Sequence, residues 1–251
     1  FGITVEGGKA DFGAVIKRSR GVADGMSKGI QFLFKKNKID AIMGNGILKK
    51  DKKIEVTAAD GTKTTYEADH VIIATGARAK ELPGIAIDKK NIIGYREAMT
   101  LTTMPESMVV IGAGAIGVEF AYFYHTMGTK VTVVEFMENG LVPREDAEIS
   151  KELNKIYKKK GMTILGNTEI EKVDISGTKK KVTVKDRKTG ESQVIECDVV
   201  LSATGVTPNL ENIGLEEVGI SIEKGFIKVD EFYNTSVKGY YAIGDVLPTQ
   251  A

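Results

Sequence analysis

The sequence predicts an α/β fold that is built on parallel sheet and contains parts of two related units. Three observations lead to this prediction. Short apolar runs alternate with segments of helical periodicity, as in parallel sheets covered by helices. A glycine-rich turn stands between one such run and a helical segment, and a hairpin-and-strand pattern occurs twice along the chain.

The composition is that of an ordinary globular protein. Of the 251 residues, 42% are hydrophobic and 27% are charged, which excludes disordered, collagen-like and disulfide-scaffold classes. The 35 basic and 34 acidic side chains give a net charge of +1, so neither a nucleic acid nor a membrane surface is an expected partner. No apolar run reaches the roughly 18 residues of a membrane span, and no signal peptide is visible. We expect a cytoplasmic protein.

The predicted elements follow from periodicity and from turn residues. Apolar residues at helical spacing predict helices, and β-prone runs bounded by turn residues predict strands. Asp60-Gly61 between two such runs indicates a hairpin. The predicted helices cover residues 14–36, 115–127 and 149–160. The predicted strands cover 41–43, 53–58, 62–67, 71–73, 108–112, 130–135, 162–165 and 199–202, with further hairpin strands up to residue 196.

The internal repeat relates two distant parts of the chain. Residues 53–76 and 181–205 each read as a hairpin, an acidic residue, a buried strand and Ala-Thr-Gly. A repeat of this kind indicates two related units. The glycine-rich turn at Gly112 belongs to the second unit, and at the same spacing its counterpart in the first unit would lie before Phe1. We therefore expect the first unit to be incomplete.

The glycine-rich turn is the strongest functional motif. It has the pattern GxGxxG, preceded by a predicted strand and followed by a predicted helix, which is the context of a dinucleotide site. The first glycine permits a tight turn, the second lets a pyrophosphate approach the backbone, and the third lets helix and strand pack closely. The predicted site consists of Gly112, Ala113, Gly114, Ala115, Ile116 and Gly117. The alternative is a glycine-rich strand-to-helix turn that binds no ligand.

An acidic residue at the end of the next predicted strand indicates which dinucleotide is bound. Glu135 lies 23 residues after Gly112, where a carboxylate accepts hydrogen bonds from the adenosine ribose hydroxyls. It would repel a 2′-phosphate, and no arginine stands at the next positions, Phe136 and Met137. These observations favour NAD over NADP. Gly205, after a predicted buried strand, is a further candidate at the carboxyl edge of the sheet.

Five segments resemble the dihydrolipoamide dehydrogenases, members of the class I pyridine nucleotide-disulfide oxidoreductase family. They are GIQFLFKKNKI (29–39), VIIATGARAKELPGI (71–85), VVIGAGAIGVEFA (109–121), KVTVVEF (130–136) and YYAIGDV (240–246). Together they span nearly the whole chain. The resemblance implies a Rossmann-like NAD-binding domain with a parallel sheet and a β-meander at 88–210, inserted in a partial FAD-binding domain at 1–87 and 211–251.

The resemblance also implies individual cofactor contacts. For NAD it adds Glu119, near the nicotinamide, and a backbone contact at Ile170. From the residues alone, Glu119 can also be interpreted as a charge that stabilises a helix N-terminus, and Ile170 as an ordinary sheet residue. For FAD, the implied contacts are Gly46, Thr75, Gly76, Ala77 and Asp245. Among these, Asp245 is expected to accept a hydrogen bond from a ribityl hydroxyl.

The implied activity is the oxidation of protein-bound dihydrolipoamide, with electrons passing through a cysteine pair and FAD to NAD. The implied partners are a second copy of the parent protein, a lipoyl domain, and a 2-oxo acid dehydrogenase or glycine cleavage complex. The chain departs from this pattern because its single cysteine, Cys197, cannot form the redox disulfide, and His70 and His125 stand in no matching motif. We expect NAD binding, but no catalytic residue and no metal site, in this chain.

Two alternatives remain open from the sequence. One is a related FAD/NAD(P) disulfide reductase with another substrate, such as a relative of mercuric or glutathione reductase, although Glu135 argues against the members that use NADP. The other is a nucleotide-binding module without chemistry, which the absence of a cysteine pair would fit.

Overall fold

The computed structural model describes residues 7–8 and 10–248. The helices are α1 (Phe12–Lys36), α2 (Tyr95–Ala98), α3 (Ala115–Met127), α4 (Ala147–Lys159) and α5 (Leu215–Val218). The strands are β1 (Asn45–Lys49), β2 (Lys53–Thr57), β3 (Lys63–Glu67), β4 (Val71–Ile73), β5 (Ala77–Ala79), β6 (Ile92–Ile93), β7 (Ser107–Ile111), β8 (Lys130–Val134), β9 (Thr163–Leu165), β10 (Thr168–Asp174), β11 (Lys180–Asp186), β12 (Ser192–Cys197), β13 (Val199–Ser202), β14 (Val206–Pro208), β15 (Ile222–Glu223), β16 (Phe226–Ile227) and β17 (Tyr240–Ala242).

The chain divides into two compact units. The first, here called the central unit, contains residues 79–205 together with the described residues up to Lys28. The second, here called the flanking unit, contains residues 29–78 and the described residues from Val206 onward. The boundaries thus fall at 78/79 and 205/206, and the N-terminal segment groups with the central unit.

The central unit is built on a five-stranded parallel sheet. Its strand order is β6-β13-β7-β8-β9, and Val109 of β7 lies between Val200 of β13 and Thr132 of β8. Strands covered on both faces consist of unbroken apolar runs, and every residue of β13 is buried, as are four of the five in β7 and in β8. The predicted strands at 108–112, 130–135 and 199–202 are therefore confirmed to within one residue at each end.

A three-stranded antiparallel meander completes the central unit. Its order is β10-β11-β12, which resolves the predicted hairpin region. Val182 and Val184 of β11 are fully buried in a cluster with Val109 and Val200 of the sheet. The alternating burial of β11 thus follows from one face that packs on the sheet.

Helix α3 covers the other face of the sheet. It spans the predicted residues 115–127 and ends at Gly128, which has a left-handed conformation, φ 112°. Tyr124 of this helix is fully buried, and its hydroxyl donates a 2.6 Å hydrogen bond to the carbonyl of Ala98. Burial raises the pKa of Tyr124 to about 12, so the buried phenol remains a hydrogen-bond donor at neutral pH.

Helix α1 is long and mostly exposed. The backbone N–H of Ala14 donates to the Asp11 carboxylate over 2.9 Å at its start, a typical N-cap contact. Phe12 alone is buried among its described side chains, whereas Met26 is 68% exposed. In the described part of the chain, neither α1 nor any other helix combines the length and apolarity needed to cross a membrane.

The flanking unit holds the other copy of the repeat. Strands β1, β2 and β3 form an antiparallel sheet, and β4 follows the hairpin as β13 follows β11 and β12 in the central unit. The predicted strand at 41–43 is wrong: Met43 is 84% exposed, and the strand that pairs with β2 runs over Asn45–Lys49 instead. The observed strand contains a buried apolar side chain, Leu48, whereas Ile42 and Met43 in the predicted one are exposed.

Strand β4 pairs in parallel with β17, and these two strands make up their sheet. Val71 and Ile73 are buried against residues such as Tyr240, but Ile72 between them is 61% exposed. The prediction of a strand at 71–73 is confirmed, whereas the expectation of a buried strand is wrong at Ile72. Within the described residues, one face of this pair is bare.

A turn before β6 is organised by one carboxylate. Asp88 accepts hydrogen bonds from the backbone N–H groups of Lys90, Asn91 and Ile92 and from the Asn91 amide, all at 2.6–2.9 Å. Burial alone would raise the pKa of Asp88, but these donors stabilise the ionised form and hold the pKa at about 2.

We predict that Tyr124→Phe lowers the free energy of unfolding by about 1–3 kcal/mol, because the carbonyl of Ala98 loses its buried donor. Urea denaturation of the purified variant measures the change. Tyr122→Phe is the matched control, since Tyr122 on the same helix is 40% exposed. Equal shifts for the two variants would contradict the prediction.

We also predict a pH-dependent effect of Asp88→Ala. A carboxyl group whose pKa falls on folding contributes stability that is present above its unfolded pKa and is lost as the pH falls through the folded value. The variant should be less stable than the wild type by about 1 kcal/mol near pH 7, and the difference should shrink between about pH 4 and pH 2. Thermal unfolding across this range tests it, with Asp24→Ala on exposed α1 as the control. A difference independent of pH would contradict it.

Candidate functional site

The carboxyl ends of three adjacent parallel strands meet at one edge of the central sheet. Gly112 follows β7, Glu135 follows β8 and Gly205 follows β13 by three residues. Ligands of open α/β sheets bind at this edge. The structure therefore brings together the three positions that the sequence assigns separately to a dinucleotide site.

The glycine-rich turn is required by steric contacts in the protein itself. Gly112 has φ 96°, and a Cβ atom there would lie 2.5 Å from the carbonyl oxygen of Ala203. A Cβ atom on Gly117 would lie 2.0 Å from the carbonyl oxygen of Gly112. Both contacts are with backbone atoms, so a side chain at either position forces the turn open.

The middle glycine has a different environment. Gly114 is exposed, has φ −69°, and has no atom within 4 Å of an added Cβ. It is the N-cap of α3, and no side chain caps the N–H groups that follow at Ala115, Ile116 and Gly117. Because an added Cβ meets no atom, nothing in the described fold requires glycine at this position. Uncapped N–H groups beside open backbone instead form a cradle that a pyrophosphate fits.

Glu135 connects this turn to the loop after β8. Its side chain is buried, and one carboxylate oxygen accepts a 2.7 Å hydrogen bond from the N–H of Ala113. The other accepts a 2.8 Å hydrogen bond from the N–H of Met137. Each oxygen has a second lone pair, so the carboxylate can hold the turn in place and still accept from a ribose hydroxyl.

The remaining NAD candidates lie in the central unit in different settings. Glu119 is exposed in the second turn of α3, and the first turn contains no acidic residue. Because the helix-dipole effect falls off within one turn, Glu119 does not stabilise the N-terminus. Ile170 of β10 packs against the core between the sheet and the meander. Gly205 has φ 112°, and its carbonyl accepts from the N–H of Lys80 over 3.0 Å.

The FAD candidates lie in the flanking unit. Gly46 pairs with Val56 across β1 and β2, and Asp245 is exposed on the turn after β17. Thr75 and Gly76 follow β4, and the Thr75 hydroxyl donates to the Asn209 carbonyl over 2.8 Å. The last candidate, Ala77, is buried in β5.

Two contacts in the flanking unit were missed by sequence reasoning. The Asn209 side-chain amide donates to the carbonyl of Thr75 over 3.0 Å, and its backbone N–H donates to Gly76. The Arg78 guanidinium donates to the Glu211 carboxylate over 2.6 Å and holds the pKa of Glu211 at about 2. The paired residues lie more than 130 positions apart, so no local pattern indicates them.

The single cysteine and the two histidines have structural surroundings. Cys197 is 1% exposed, and burial raises the pKa of its thiol to about 11. The His125 ring lies 2.9 Å from the Lys160 carbonyl, and the His70 ring lies against Tyr241. No group of metal-binding side chains occurs among the residues that the structure describes.

An arginine that the sequence does not place at the site contacts Phe136, the residue directly after Glu135. Arg187, on the turn between β11 and β12, stacks its guanidinium 3.7 Å above the centre of the Phe136 ring. Its Nη1 atom donates to the Phe136 carbonyl over 3.1 Å. The sequence criterion considered only the residues directly after Glu135, whereas the meander supplies a cation from 51 residues further along the chain.

Comparisons with known proteins identify the family of the chain. The family model described as pyridine nucleotide-disulphide oxidoreductase matches residues 4–251. A dihydrolipoyl dehydrogenase from Chlorobaculum parvum is 42% identical over 248 residues, 98% of this chain and 52% of the relative. Several further relatives at 37–41% identity carry the same name. The chain spans about half the length of the curated relatives it matches.

Two further proteins show the range of the similarity. A leghemoglobin reductase from Vigna unguiculata is 38% identical over 98% of this chain and 47% of its own length. The crystal structure of LpdA from Mycobacterium tuberculosis superposes with a TM-score of 0.88 at 30% identity, covering 97% of this chain and 53% of that one. The predicted α/β architecture with its parallel sheet is thereby confirmed.

We predict that Gly117→Ala and Gly114→Ala differ in stability. The first places a methyl group against the Gly112 carbonyl and should cost at least about 2 kcal/mol through displacement of the backbone. The second meets open space and should change the free energy of unfolding by less than about 1 kcal/mol. Chemical denaturation of both variants measures the difference, and a Gly117→Ala variant as stable as Gly114→Ala would contradict the steric argument.

Proposed function

The chain belongs to the pyridine nucleotide-disulphide oxidoreductase family, and from that membership we propose that it is the central part of a dihydrolipoamide dehydrogenase. In this proposal the chain contains a complete NAD site and part of an FAD-binding domain. It binds NAD and does not oxidise lipoamide by itself.

One observation carries the NAD assignment. The uncapped N-terminus of α3, the open backbone at Gly114 and the buried Glu135 carboxylate lie at one sheet edge. The N–H groups after Gly114 are suited to a pyrophosphate, and Glu135 is suited to ribose hydroxyls. When bound, NAD supplies a two-electron hydride acceptor. We propose Gly112–Gly117, Glu119, Glu135, Ile170 and Gly205 as its contacts.

The flanking unit supports a partial FAD site. Family members use FAD as well as NAD, and Thr75, Gly76 and Asp245 follow strands whose carboxyl ends lie side by side in β4 and β17. Small residues at a strand end admit a cofactor, and the exposed Asp245 carboxylate can accept from an alcohol. With Gly46 and Ala77 these are the proposed FAD contacts. No second glycine-rich strand-to-helix turn occurs among the described residues of this unit, so we propose that FAD binds weakly or not at all here.

The domain functions follow from this assignment. We propose that residues 88–210 act as the NAD-binding domain and that 1–87 and 211–251 contribute to the FAD-binding domain. The parent protein would act as a cytoplasmic homodimer on a lipoyl domain within a 2-oxo acid dehydrogenase or glycine cleavage complex. The lone buried Cys197 supports the proposal that the redox disulfide is not part of this chain.

A second candidate has support in one comparison. A relative that is 38% identical is named leghemoglobin reductase, so a protein this similar carries the name of a different substrate. The alternative is therefore a flavin-dependent reductase of another substrate, with the same NAD site. A module that binds the nucleotide without chemistry would also retain that site.

We predict that the purified chain binds NADH and that Gly114→Ala weakens this binding at least about tenfold, because the added methyl group occupies the space that the pyrophosphate needs. Titration of NADH fluorescence measures the dissociation constant. Gly21→Ala, at an open position of α1, is the matched control and should leave affinity unchanged. Failure of the wild-type chain to bind NADH would contradict the NAD assignment. Lipoamide-dependent NADH formation by this chain would contradict the claim that it is inactive alone.

A further inference from the structure

The surroundings of Glu135 include a cation held in a fixed position. The backbone N–H of Arg187 donates to the Asn167 carbonyl, and the N–H of Asn167 donates to the Met137 carbonyl, both over 2.9 Å. The N–H of Thr168 donates to the carbonyl of Glu135 itself over 2.9 Å. The meander turn, the start of β10 and the loop after β8 are thus joined by hydrogen bonds, and Arg187 is part of this assembly.

The charge of Arg187 is not neutralised. No carboxylate forms an ion pair with it in the part of the chain that the structure describes. The nearby Asp186 carboxylate instead accepts from the backbone N–H groups of Lys188 and Thr189. A guanidinium has five N–H donors, and the Phe136 carbonyl accepts from one of its nitrogens, Nη1. Arg187 is exposed, so the remaining donors are accessible to an anion.

Stacking on Phe136 prepares this guanidinium for a phosphate. The contact with the ring fixes its plane and reduces the side-chain freedom lost on binding. Phosphate groups accept two parallel hydrogen bonds from such a fork. A 2′-phosphate on the adenosine ribose would lie next to the carboxylate that binds the ribose hydroxyls. Arg187 is hydrogen-bonded to Phe136, the residue directly after that carboxylate.

We propose that Arg187 forms a latent subsite for the 2′-phosphate of NADP, which the negative charge of Glu135 keeps out of use. The preference for NAD then depends on one carboxylate, and Arg187 is the specificity-determining residue once that carboxylate is neutral. This inference rests on the proposed function, because it requires the adenosine ribose to lie at Glu135.

The test is a double-mutant cycle on the whole chain. The dissociation constants of NADH and NADPH are measured by fluorescence titration for the wild type, Glu135→Gln, Arg187→Gln and the double variant. We expect Glu135→Gln to tighten NADPH binding by about tenfold, and the double variant to lose that gain, as for a charge-assisted phosphate contact. NADH affinity should differ less than about threefold between Glu135→Gln and the double variant, since NADH has no 2′-phosphate.

Two controls separate the subsite from general charge and from folding. Lys188→Gln removes a positive charge from the same turn and should leave the NADPH gain of Glu135→Gln in place. Arg187→Lys should keep part of the gain, because it keeps the charge but not the fork. If Glu135→Gln does not fold, Glu135→Ala replaces it in the same cycle, and the addition of Arg187→Gln should weaken its NADPH binding by about tenfold and leave NADH binding within about threefold.

Each outcome bears on a definite claim. Equal NADPH affinities for Glu135→Gln and the double variant overturn the subsite while leaving NAD binding intact. Parallel losses of NADH and NADPH on Arg187→Gln show a merely structural role and also overturn it. A wild-type chain that binds neither dinucleotide overturns the proposed function and the subsite together.

Discussion

The two hydrogen bonds of the Glu135 carboxylate are the interaction on which the central unit's functional edge depends. They join the glycine-rich turn after β7 to the loop after β8. A buried carboxylate is costly unless it is hydrogen-bonded, so the fold tolerates this charge only while the turn and the loop keep their positions. The same group therefore shapes the site and is the site's most specific chemical feature.

The two units differ in how completely their sheets are covered. The central sheet carries α3 on one face and the meander on the other, and its three inner strands, β13, β7 and β8, are buried almost throughout. The flanking unit covers only one face of β4 and β17. Because both units contain the same hairpin-and-strand repeat, the comparison isolates what the central unit has in addition, namely a glycine-rich turn and its helix.

Much of this architecture could be predicted from the sequence because it depends on local patterns. The run Met108–Ile111, the glycines that follow it and the period of α3 are contiguous, and the structure reproduces them to within one residue. The strand predicted at 41–43 failed because its apolar residues are exposed, whereas Leu48 a few residues later is buried. Whether distant residues cover a position decided both the start of this strand and the exposure of Ile72.

The candidate site could be predicted only in its contiguous part. Glu135 stands at a spacing that indicates its role, but its hydrogen bonds to Ala113 and Met137 depend on the packing of two loops. Arg187 and Asn209 come from loops more than fifty residues away from the groups they contact. Residues of this kind are positioned by the meander and by long-range pairing, which a single sequence does not display.

The uncovered face of the β4–β17 pair affects how copies of the chain associate in solution. Strand β4 has no partner on its second edge in the described part of the chain, and Ile72 projects from its uncovered face. Unpaired edges with apolar side chains accept strands from other molecules. We therefore expect concentrated solutions of this chain to self-associate at β4.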